Sequence, residues 1–140
     1  MLDLAVLRID QRLDGSAIQA VFKPLAFGDS TAVEEGSQLR ILGYGQQKSD
    51  VTDTTNTVVG NLAGRHTDAD GNWLRTTADM LAGHSGGPAV ADSGRVVGWC
   101  VKSHTEGGVA SGGLHALRPI SDAVEVYKEL TAKGLLNLKQ

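Results

Sequence analysis

A single cysteine, Cys100, stands among the 140 residues, which excludes a disulfide within the chain. Aromatic residues make up only 4% of the sequence. No apolar run approaches the roughly 18 residues that a membrane-spanning helix needs. Basic residues are neither abundant nor clustered: 13 Lys and Arg face 16 Asp and Glu, a net charge of −3. Nucleic-acid binding therefore has no electrostatic support. The opening residues, MLDLAVLRID, lack the basic start of a secretory signal and read instead as a strand that begins abruptly.

Glycine is abundant, at 18 residues, and hydrophobic residues reach 41%, which is enough to fill the core of one small domain. Many glycines with few aromatics predict many tight turns. Leu2 to Ile9 is apolar on both faces apart from Asp3 and Arg8, and predicts a buried strand. Asp14-Gly15 marks a turn and Ala17 to Phe22 a second strand, followed by an extended connection from Lys23 to Gly36. Further strands are expected at Gln38 to Tyr44, Thr54 to Leu62, Trp73 to Thr77, Ala89 to Ala91 and Arg95 to Lys102. Turns at such short intervals describe a small β-barrel or sandwich. The end differs. Ile120, Ala123, Val124, Tyr127 and Leu130 repeat at helical spacing, with Ser121 as a cap and Gly134 as a stop.

The segment with the most chemical content is Gly83-His84-Ser85-Gly86-Gly87-Pro88. A serine flanked by glycines sits on a backbone free to take unusual dihedrals. The amides of Gly83 and Ser85 can then point into one small space. Two such donors would stabilise the oxyanion of a tetrahedral acyl intermediate, at about 3–4 kcal/mol per donor. A glycine-rich turn that merely reverses a strand is the alternative.

This six-residue string resembles the nucleophile motif of the chymotrypsin-fold, trypsin-like serine peptidases, and other segments agree in order. Asp3-Leu4-Ala5-Val6-Leu7-Arg8-Ile9 resembles the strand that carries the triad aspartate. Pro24-Leu25-Ala26-Phe27-Gly28-Asp29-Ser30, with Leu42-Gly43-Tyr44-Gly45, resembles the connection between barrels and the start of the second barrel, in wording closest to the HtrA/Deg-like branch. The resemblance implies a six-stranded antiparallel Greek-key barrel with a C-terminal helix. Residues 1–30 would be a remnant of a first barrel and the connection, 31–118 the second barrel, 119–134 the helix and 135–140 a tail. It implies a serine endopeptidase with Ser85 as nucleophile, Asp3 as the orienting acid and Gly83 and Ser85 as the oxyanion hole. Neither a metal nor an organic cofactor is implied. Relatives of this kind are commonly periplasmic or secreted.

The family order is His, then Asp, then Ser. With Asp3 at the start, the histidine is expected from an upstream segment or a partner chain. Among the histidines present, His84 adjoins Ser85 and points away from it, which makes it a support for the loop. His104 and His115 read as surface or pocket-wall residues. His66 belongs to His66-Thr67-Asp68-Ala69-Asp70-Gly71, where a solvated hairpin turn outweighs a calcium loop because Thr77 stands where an acidic ligand is needed. Asp79, six residues before Ser85, matches the acidic base of a pocket for Arg or Lys, or else caps backbone amides. Gly98 and Trp99 would line the substrate path, with core packing the alternative for Trp99, and Gly112 and Gly113 would either open one side of the pocket or serve as turn glycines. The expected partners are a protein or peptide substrate and either a complementing N-terminal barrel or a second copy. The alternative is a non-catalytic module that binds peptides by strand addition.

Overall fold

A computed structural model of the chain describes residues 4–7, 9, 11–18, 22–45, 55–102 and 114–134. Six strands and one helix follow in order: β1 (Gln38–Gly43), β2 (Asn56–Asp68), β3 (Gly71–Thr76), β4 (Pro88–Ala91), β5 (Val96–Lys102), β6 (His115–Pro119) and α1 (Ile120–Ala132). The strands close into an antiparallel barrel in the order β1-β2-β3-β6-β5-β4. Leu39 opposite Ala91 and Ile41 opposite Ala89 join β1 to β4 and complete the ring.

Alternation along β1 shows why these residues form a barrel wall. Leu39 and Ile41 are fully buried, while Arg40 between them faces out to pair with Asp92 at 2.9 Å. Leu62, Leu74, Val97, Cys100 and Leu117 join them in one core. Each large aliphatic side chain so placed contributes about 1.5–3 kcal/mol through burial. A second cluster lies outside the barrel, where Val96, Trp99 and Ile120 gather Leu4, Val101 and Ala123. The apolar stripe of α1 thus packs against β5.

Strand β2 runs on to Asp68, past the end expected at Leu62. It shifts register between Leu62 and Gly64 and continues into the hairpin with β3. At the hairpin, the Asp68 carboxylate accepts hydrogen bonds from the Trp73 indole at 3.0 Å and the Asp70 amide at 2.8 Å. The indole bond, above all, holds this carboxyl below the ordinary aspartate range. Arg118 of β6 is 2% exposed. Its guanidinium stacks 3.5 Å from the Trp73 ring centroid and donates to the carbonyls of Asp70 and Asn72. Through its bonds to the Trp73 indole and the Asp70 amide, the Asp68 carboxylate braces the hairpin turn. No described helix is long and apolar enough to cross a membrane.

Three expectations need correction. The described part of Leu2 to Ile9 is not a buried strand. Leu4 packs on the outer cluster, but Leu7 is 85% exposed and Ile9 67% exposed. The six strands of the barrel close into a ring without this segment. In the second predicted strand, Ala17 makes only an isolated bridge to Gln11 around the Asp14-Gly15 turn, and Phe22 is exposed. Ser121 does not cap α1. Pro119 occupies the cap position, and the Ser121 hydroxyl is within hydrogen-bonding distance of buried Ser30, at 2.9 Å. Gly134, with φ 68°, ends the helix as expected.

Burial pushes the Cys100 thiol up to about 12, from 9.0. The folded chain therefore holds this proton more tightly than the unfolded chain does. The stability linked to it should be complete below pH 9 and fall as the pH rises towards 12. A disulfide reagent at pH 8 is expected to leave the native thiol unmodified and to titrate one thiol in denaturant. Rapid native modification would contradict the burial.

Candidate active site

Two successive turns present Ser85. The amide of His84 donates to the carbonyl of Leu81 at 3.1 Å, and the amide of Gly87 donates to the carbonyl of His84 at 2.9 Å. Gly83 (φ 99°) and Gly86 (φ 79°) take the third place of each turn, where a positive φ is wanted. Ser85, second in the later turn, is left exposed. The Gly83 carbonyl accepts from the Tyr44 amide at 3.0 Å, and the Gly86 amide donates to the Cys100 carbonyl at 2.7 Å. The loop is thus tied to the end of β1 on one side and to β5 on the other.

These ties bring backbone against backbone. A methyl group on Gly83 would lie 2.1 Å from the Tyr44 oxygen, and one on Gly87 would lie 2.0 Å from the Leu42 oxygen. Both glycines are required by close approach. The amides of Gly83 and Ser85, by contrast, donate to no described residue.

Ser85 and Gly86 stand at the rim of a cavity of about 660 Å³. Its walls are mainly apolar: Leu4 to Leu7 on one side, Trp99 and Val101 of β5 on another, and Ile120, Ala123 and Tyr127 of α1. The segment that follows Asp3 and the serine loop therefore face one space. Asp3, Gly112, Gly113 and His104 themselves lie outside the described residues. Trp99 reaches the cavity, whereas Gly98 does not line it. Its missing side chain admits the Arg118 carbonyl, which a methyl would meet at 2.6 Å. Asp79 is also absent from the cavity wall. Its side chain is 90% exposed, 3.8 Å from His115 Nε2. His84 is buried, with Nδ1 3.0 Å from the Leu81 amide nitrogen. The walls supplied by α1 and Leu4 to Leu7 escaped the sequence reading. Helical spacing identified the apolar stripe of α1 but not what it faces.

A family model described as a trypsin-like peptidase domain matches residues 1–98. The chain belongs to the trypsin-like peptidase family. Among solved structures, this trypsin-like chain is similar to the HtrA-type protease AlgW with a tripeptide. The TM-score is 0.66 at 19% identity, over 91% of this chain and 39% of that one. It is similar as well to AlgW with a decapeptide, with a TM-score of 0.63 at 19% identity, over 79% of this chain and 34% of that one. This likeness is one of fold, and the trypsin-like chain spans between a third and two-fifths of the length of those proteases. No curated protein matches it.

The two turn glycines of this peptidase loop should separate cleanly on substitution. Gly87→Ala drives a methyl into the Leu42 carbonyl and should cost at least about 2 kcal/mol. Gly86→Ala meets nothing within 4 Å and carries only the left-handed backbone penalty of about 1–2 kcal/mol. Thermal unfolding of the two variants checks the order. Equal losses would contradict the close packing at Gly87.

Proposed function

We propose that the chain supplies the serine-bearing part of an endopeptidase that cleaves peptide bonds through an acyl-enzyme. The observation that carries this reading is the exposed Ser85 lining an apolar cavity, with the amides of Gly83 and Ser85 bonded to no described residue. In the proposed reaction the Ser85 Oγ attacks the substrate carbonyl carbon and gives its proton to an imidazole. The amides of Gly83 and Ser85 receive the oxyanion. The imidazolium protonates the leaving amine, and water then hydrolyses the ester. The peptides held by the two AlgW structures support a peptide as the ligand class.

Asp3 is the proposed orienting acid. Support comes from the family match over residues 1–98 and from Leu4 to Leu7 sharing the serine's cavity. The imidazole is assigned to residues outside these 140. A serine hydroxyl without a base is a weak nucleophile, and oxyanion donors with substrate binding leave only about 10³–10⁴-fold over water. The chain alone is therefore expected to be weakly active. Asp79 is proposed for P1 selection on the resemblance alone, since it stands beside His115 and off the wall of the Ser85 cavity. Trp99 is the candidate wall for the residues beyond.

Val6, Leu7, Ile9, Phe22, Leu25 and Phe27 are all exposed, an apolar surface to be covered by a complementing barrel or a second copy. Sedimentation at high concentration is expected to show self-association, and a clean monomer would count against the surface. A fluorophosphonate should label Ser85 slowly in the chain alone and at least about 10³-fold faster when a histidine-bearing partner is supplied. Ser85→Ala should abolish both. Labelling that persists in Ser85→Ala, or that no partner accelerates, would sink the proposal.

A further inference from the structure

The buried His84 is held in a way that a loop-filling residue does not require. Its ring occupies the space left by the absent side chains of two glycines. A methyl on Gly45 would lie 2.2 Å from the ring's Cε1, and one on Gly43 would lie 2.8 Å from the His84 Cα. Gly45 cannot retreat, because its amide and carbonyl are both bonded to the Asn56 side chain, at 3.2 and 2.8 Å. Nδ1 lies 3.0 Å from the Leu81 amide nitrogen and 3.1 Å from the Leu81 carbonyl oxygen. Nε2 is buried and has no hydrogen-bond partner among the described residues.

His84 is also the only residue between the two unpartnered amides. The peptide plane that carries the Ser85 N–H hangs from its ψ angle. The preceding plane is anchored through the Gly83 carbonyl on Tyr44. Its own amide and carbonyl are anchored to Leu81 and Gly87. A side chain fixed to the turn by Nδ1 and wedged against Gly45 removes the remaining freedom of the Ser85 amide.

We propose that His84 is a positioning residue: the wedge of its ring on Gly45, with Nδ1 on the Leu81 turn, fixes the direction of the Gly83 and Ser85 amides. The proposal rests on the oxyanion role given to those amides above. It assigns the Gly45–His84 contact, between segments distant in sequence, to the geometry of the site.

The test is a double-mutant cycle in this chain, read by the rate of Ser85 phosphonylation and by the amide NMR signals of Gly83 and Ser85. His84→Ala and Gly45→Ala should each slow phosphonylation by about tenfold to a hundredfold and shift both amide signals. Gly45→Ala should add little once His84→Ala has removed the ring. His84→Asn keeps an acceptor near Nδ1 and should recover most of the rate at an unchanged melting temperature. Parental rates in His84→Ala, or equal costs of Gly45→Ala in both backgrounds, would overturn the proposal. If the parent chain resists labelling altogether, the nucleophile reading fails instead. The amide signals then decide alone, and unmoved signals in His84→Ala and Gly45→Ala overturn the positioning role. Should His84→Ala fail to fold, Gly45→Ala and His84→Asn carry the same comparison.

Discussion

The site depends on a steric constraint: the serine loop lies against the exit of β1 with no room for a single methyl at Gly83 or Gly87. Hydrogen bonds from Tyr44 to Gly83 and from Gly86 to Cys100 hold that approach from both sides. Close backbone contact is costly to disturb because neither partner is the flexible end of a side chain. Ser85 gains a fixed address while staying exposed.

The barrel was largely readable in the sequence because its strands alternate and its turns carry Gly or Asp-Gly. Gln38 to Tyr44, Trp73 to Thr77 and Arg95 to Lys102 all fall on strands, within two residues at each end. The helix was readable from Ile120, Ala123 and Tyr127. The N-terminal segment was not. Apolar composition says that Val6, Leu7 and Ile9 want cover, but the barrel closes without them. Arg118 was equally opaque. An arginine between Leu117 and Pro119 is buried where carbonyls of the β2–β3 hairpin and the Trp73 indole receive it.

The serine loop was legible as a local string of six residues. Its surroundings were not, because the cavity walls and the Gly45–His84 wedge join residues far apart in sequence. Gly43 and Gly45 read as the end of a strand, and nothing nearby reveals the imidazole that fills the space beside them. Gly98 illustrates the reverse. A glycine suited to a substrate path turns out to make room for the β6 carbonyl of Arg118.

Closure of the ring has a bearing on the order of folding. The serine loop leads directly into β4, and β4 meets β1 only when the two ends of the sheet find each other, with Leu39 against Ala91. Pairings of such long sequence separation form late, since the loop entropy must be overcome first. A nascent chain would thus carry Ser85 through most of the folding reaction on a slack loop that takes its shape only as the ring closes.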